Sequence, residues 1–125
     1  MSIERIGSPA PGGPPFSKAV RAGDFVFVSG QVPMGPDGTI VVGGIEAQTK
    51  QSLENIKAIL GPLGLGLKDV VKTTVWIDDL RDFPTFNRIY AQYFGEGLPA
   101  RSTTQAKLVV DCKVEIEVIA YGPKT

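Results

Sequence analysis

The chain contains no histidine and a single cysteine, Cys112. A histidine general base, a histidine-dependent catalytic triad and a Cys/His zinc site are thereby excluded, and no intramolecular disulfide can form. Excess charge of either sign is missing too. Thirteen Lys and Arg balance thirteen Asp and Glu, and no run of like charge occurs, so electrostatic capture of nucleic acid or of a membrane surface is not suggested. No apolar run approaches the roughly 20 residues of a membrane span, and Met1-Ser2-Ile3-Glu4-Arg5 lacks an apolar core of signal-peptide length. The expectation is a cytoplasmic, soluble protein with no membrane partner, no metal and no cofactor. At 125 residues the chain suffices for one domain, 1–125, with one core.

What is present is an ordered alternation of strand and helix signals. Met1 to Pro15 is rich in Gly, Pro and Ser, and its four prolines deny ladder donors and helix interiors, so it reads as an arm with one short edge strand at Ile3 to Ile6. Gly23-Asp24 is a turn, and Phe25-Val26-Phe27-Val28-Ser29 carries apolar residues on both faces before Gly30, which predicts a central strand covered on both sides. Pro36-Asp37-Gly38 is a turn, followed by an expected short strand at Thr39 to Val42. From Ile45 the period becomes helical through Thr49, Leu53, Ile56 and Leu60, with Glu46, Lys50, Glu54 and Lys57 as the solvated face. The β-branched run Val70 to Ile77 predicts a strand. A second helix follows, with Asp82 as cap, Pro84 in its first turn and Gly95 to Gly97 at its end. Asn87 sits within its aromatic stripe, and a buried amide there either bonds a loop backbone or organises a site.

These elements predict an α+β domain, a four- to six-stranded sheet with two helices packed on one face. The strands are apolar on both sides, so the bare face is expected to be covered by closed-ring self-association, as in a trimer.

The segment with the most chemical content is Pro99-Ala100-Arg101-Ser102-Thr103-Thr104-Gln105. As a strand it sends the guanidinium of Arg101, the hydroxyl of Thr103 and the amide of Gln105 to one face. An arginine grips a carboxylate through two parallel N–H bonds, which a lysine cannot do. Its expected partner is the strand Lys113 to Ile119, in a hairpin placing Thr103 opposite Glu117. Glu115 would then face Gln105, about 13 Å along the strand from Arg101, too far for one small substrate. Either the register differs or Arg101 of one chain works with Glu115 of another, and the second arrangement is preferred. A structural ion pair between Arg101 and Glu117 is the plain alternative, and Lys72 is read as a strand-edge lysine reaching solvent.

Phe16-Ser17-Lys18-Ala19, Ser29-Gly30-Gln31, Lys72-Thr73-Thr74-Val75, Pro99-Ala100-Arg101-Ser102 and Val114-Glu115-Ile116-Glu117 together resemble the Rid family, also called YjgF or L-PSP. The resemblance runs from about Gly12 to Tyr121 and implies a chorismate-mutase-like α+β fold and a homotrimer with ligand clefts between subunits. For the family's deaminases it implies that Arg101 clamps the substrate carboxylate and that Glu115 places or activates water. Ser29, Gly30 and Asn87 would line the same cleft, with Phe16 and Thr103 as further substrate contacts. The implied activity is hydrolysis of 2-imino acids such as 2-aminoacrylate, 2-iminopropanoate and 2-iminobutanoate to 2-oxo acids and ammonia. The chain departs from the archetype by having Thr103 where that has cysteine, and Phe16 where that has tyrosine. Cys112 is out of line with the family cysteine and no role is expected for it. Alternatives are an endoribonuclease or translation inhibitor, a non-catalytic carboxylate-binding trimer, and a deaminase of another enamine such as aminomuconate.

Overall fold

A computed structural model describes residues 2–124. Six strands form one sheet in the order β1-β2-β3-β6-β4-β5. The strands are β1 (Ile3–Ile6), β2 (Ala19–Ala22), β3 (Phe25–Gln31), β4 (Val70–Ile77), β5 (Ala100–Gln105) and β6 (Val114–Tyr121), and the helices are α1 (Gly44–Leu60) and α2 (Phe83–Phe94). A mixed α+β domain with two helices on one face of its sheet is the architecture expected.

The two-residue turn between β2 and β3 needs a backbone that L side chains rarely adopt, and Gly23 supplies it with φ 61°. Strand β3 does not stop at Gly30 but continues to Gln31 across a register shift against β6. The expected strand at Thr39 to Val42 is reduced to one bridge between Met34 and Ile40, because the glycines and prolines around it leave too few consecutive residues for a ladder.

Helix α1 follows its predicted stripe, with Ile45, Thr49, Leu53, Ile56 and Leu60 buried. Its outer face carries the ion pairs Lys50–Glu46 at 3.1 Å and Lys57–Glu54 at 3.6 Å. In α2, Pro84 occupies the first turn, but the side chain of Asp82 makes no cap hydrogen bond. Capping falls instead to Asp79, whose carboxylate accepts from the backbone N–H of Arg81 at 2.9 Å and opens a 3-10 turn ahead of the helix.

Along β6, Val114, Ile116, Val118 and Ala120 alternate inward to the helices. They meet Leu53, Ile56 and Leu60 of α1 and Phe86, Tyr90 and Phe94 of α2 in one core, where each large apolar side chain contributes about 1.5–3 kcal/mol. The opposite face is bare. Phe25, Phe27 and Tyr121 point outward from it, exposed by 42%, 45% and 47%, so β3 is covered on one side within a single chain and not on both.

The largest correction concerns the C-terminal strands. Strand β5 does not pair with β6: it lies at the sheet edge, parallel to β4, with Thr73 opposite Arg101 and Val75 opposite Thr103. Strand β6 inserts between β3 and β4, antiparallel to both. The reason is connectivity. Helix α2 carries the chain back across the sheet after β4, so β5 must start at the same end as β4 and run parallel to it. The segment 106–113 then crosses the end of β4, held by hydrogen bonds from Ala106 N to Ile77 O and from Asp78 N to Lys113 O.

Candidate functional site

Arg101 extends from edge strand β5 onto the helix side of the sheet. Its Cζ lies 4.8 Å from the ring centroid of Tyr90, 5.5 Å from that of Phe83 and 5.6 Å from that of Phe86. A guanidinium over aromatic faces is held by their negative quadrupoles and by dispersion. No carboxylate of the described residues lies within ion-pair distance of it. The expected alternative pairing with Glu117 is absent because β4 separates the two strands and the side chains emerge on opposite faces. Arg101 is thus a half-buried cation with an aromatic floor and unclaimed charge.

Thr103 shares this face two residues along β5, and its Oγ1 is buried without a hydrogen-bond partner. Asn87, between Phe83 and Tyr90 on the inward stripe of α2, has an equally buried and unpartnered Oδ1. Of the two readings of Asn87, the loop-backbone bond is not made by this oxygen. A buried polar atom left unpaired costs about 1–3 kcal/mol. Arg101, Thr103 and Asn87 therefore form a polar set able to receive a small anion that also carries hydrogen-bonding groups.

Glu115 lies elsewhere. It alternates with buried Val114 and Ile116, so its side chain emerges on the bare face, opposite Trp76 of β4. A Cβ at residue 30 would collide with its Oε2 and stand 3.0 Å from its Cδ, so Gly30 supplies the space that the carboxylate occupies. Burial is the main cause that pushes the Glu115 carboxyl above its ordinary value, with the charge of Glu117 adding to it. Ser29 turns its Oγ to donate to Ser17 O at 2.6 Å, while its N–H donates to Lys18 O at 2.9 Å. Those two bonds fix the chain entering β2 against β3, next to Phe16, which is exposed.

The expected site residues therefore fall into two groups within one chain. Arg101, Thr103 and Asn87 gather on the helix side at the sheet edge; Glu115 and Gly30 meet on the bare face near its centre. The 13 Å separation inferred from a hairpin is replaced by a stricter one, since the sheet itself stands between Arg101 and Glu115.

Sequence reasoning passed over Tyr90 and Thr73. The Tyr90 hydroxyl and Thr73 Oγ1 are 2.7 Å apart and buried; the signal available was a tyrosine within an inward stripe, since a buried phenol requires a partner. Lys72 is not merely solvated, because its Nζ donates to Ser102 Oγ at 3.3 Å. Cys112 is buried, and desolvation pushes its thiol up, as befits an inert core cysteine.

Four similarities to known proteins bear on this arrangement. The family model described as Endoribonuclease L-PSP matches residues 7–122. A RutC family protein of Pyrococcus horikoshii is 50% identical over 116 residues, covering 91% of each chain. The 2-iminobutanoate/2-iminopropanoate deaminase of Salmonella typhimurium is 46% identical over 110 residues, covering 85% of this chain and 86% of that one. The crystal structure of the YjgF gene product of Escherichia coli superposes with a TM-score of 0.81 at 42% identity, covering 92% of this chain and 93% of the other.

Proposed function

The chain belongs to the Endoribonuclease L-PSP family, that of the Rid and YjgF proteins, and from that premise we propose that it is an enamine/imine deaminase acting on small 2-imino acids. The observation that carries the reading is Arg101, a guanidinium without a carboxylate partner among the described residues, fixed above three aromatic rings. A 2-imino acid supplies the missing carboxylate, and its imine N–H suits the unpartnered oxygen of Asn87.

Hydrolysis begins with protonation of the imine nitrogen and attack of water on the C=N carbon. The resulting carbinolamine loses ammonia to leave a 2-oxo acid, so one water is consumed and one ammonia released. Glu115 is the group able to move these protons. A carboxyl raised by burial can hold a proton for the imine and, once ionised, accept one from water. Imines hydrolyse unaided, so orientation and proton transfer suffice.

Because Arg101 and Glu115 of one chain face opposite sides of the sheet, the proposed site is shared. Arg101, Thr103 and Asn87 come from one subunit, and Glu115, Gly30, Ser29 and Phe16 from its neighbour in a homotrimer. Self-association through the bare face also covers Phe25, Phe27 and Tyr121. RNA cleavage gains no support from a chain without histidine and without net positive charge.

The test generates 2-aminoacrylate and 2-iminobutanoate in situ from serine and threonine with a dehydratase and follows 2-oxo acid formation, with semicarbazide competing for the free imine. Acceleration by the wild-type protein that disappears in Arg101→Ala is the expected result. No acceleration by a folded, assembled wild type would overturn the assignment.

A further inference from the structure

We propose that Thr73 and Tyr90 are a positioning pair that presents the guanidinium of Arg101 to the carboxylate of its ligand. The inference rests on reading Arg101 as a carboxylate clamp. Neither residue needs to touch the ligand for the pair to act.

The geometry is a closed loop of contacts. Thr73 and Arg101 are direct partners on neighbouring strands β4 and β5. Tyr90 comes down from α2 and joins them, its hydroxyl 2.7 Å from Thr73 Oγ1 and its ring centroid 4.8 Å from Arg101 Cζ. Of the three rings beneath the guanidinium, that of Tyr90 is the nearest, and it is the one whose polar end is bonded to the rung of the sheet that carries Arg101. The ring packs between Phe86, at a centroid distance of 5.5 Å, and Phe94, at 4.5 Å. Those neighbours limit its translation. The hydroxyl bond fixes its tilt.

A free arginine side chain has rotamer entropy to lose when it binds. A floor of fixed tilt removes part of that loss before the ligand arrives, which is preorganisation. Burial pushes the Tyr90 phenol up, against the smaller opposite influences of its hydrogen bond to Thr73 and then of the Arg101 charge, so it stays neutral and leaves the guanidinium charge to the ligand. Thr73 is fully buried, and a valine there would have the same shape without the anchor.

The experiment measures equilibrium binding of 2-oxobutanoate, the carboxylate product, to the assembled protein, together with KM and kcat on 2-iminobutanoate. The variants are Tyr90→Phe, Thr73→Val, the double variant Thr73→Val/Tyr90→Phe, Arg101→Ala and Arg101→Ala/Tyr90→Phe. The double variant removes both hydroxyls of the pair and orphans neither, so it separates loss of the anchor from the cost of an orphaned group. Tyr90→Phe, Thr73→Val and their combination are each expected to weaken 2-oxobutanoate about five- to tenfold, the size of one net hydrogen bond, and to raise KM with little change in kcat. In the Arg101→Ala background, Tyr90→Phe is expected to change nothing further. A folded Tyr90→Phe protein with unchanged affinity, or with a loss that persists in the Arg101→Ala background, overturns the positioning role alone. Failure of the wild type to bind 2-oxobutanoate overturns the clamp and this inference with it.

Discussion

A carboxylate and a glycine hydrogen share one small volume on the bare face of the sheet, and that contact sets what residue 30 can be. Gly30→Ala would force the Glu115 carboxylate to move, because the new methyl group occupies the place of its Oε2. The expected outcome is a loss of imine turnover of about tenfold or more with the fold retained, read by kcat beside a circular dichroism spectrum. Glu115 also makes stability depend on pH. Its carboxyl is raised in the folded chain from an ordinary value of 4.5, first by burial and then by Glu117. Its stabilising contribution is therefore greatest below the unfolded value and declines as pH rises through the higher folded value. Glu115→Gln is expected to remove that decline, so in urea unfolding the variant gains on the wild type over the pH range that begins at the ordinary value of 4.5 and extends upward to the raised folded value. Equal slopes for both proteins over that range would contradict the assignment. The identities of these residues were legible in the sequence, since Arg101, Glu115 and Gly30 each stood in a recognisable segment. Their grouping was not, because alternation along a strand reports which residues share a face and says nothing about what lies across the sheet.

At the level of elements, β6 is the strand on which the fold depends. It is hydrogen-bonded on both edges and lines the core with four side chains. Ile116→Ala removes a fully buried side chain from its middle and is expected to cost about 2–5 kcal/mol in chemical denaturation. Thr104→Ala, on the exposed side of edge strand β5, should lie within about 0.5 kcal/mol of wild type. A reversed ranking would mean that the core is organised around another strand. The bounds of β4 and the stripe of α1 could be read directly from periodicity, as each is a long, regular pattern. The hairpin of β5 with β6 was a natural expectation for two consecutive strands joined by a short loop. It failed because α2 fixes the direction of β5, a constraint of connectivity that no local pattern carries.

For the whole molecule, the two halves of the proposed site give a test that single substitutions cannot. If Arg101 of one subunit serves with Glu115 of the next, Arg101→Ala and Glu115→Gln each inactivate every site in their own homotrimers. Mixed trimers differ. A site is intact when its Arg101 comes from a Glu115→Gln chain and its Glu115 from an Arg101→Ala chain, which for equal and random mixing holds in about one quarter of sites in a cyclic assembly. Co-expressed or co-refolded chains should therefore recover about a quarter of wild-type kcat, the two separate variants mixed without exchange recovering none. The physical ground is already in the single chain, where the sheet stands between the two side chains and its bare face exposes Phe25, Phe27 and Tyr121 to a neighbour. Absence of recovery in a verified mixed trimer would place both groups in one subunit's cleft and would require the sheet to open between β4 and β5, at the cost of the ladder that pairs Lys72 to Ile77 with Ala100 to Gln105.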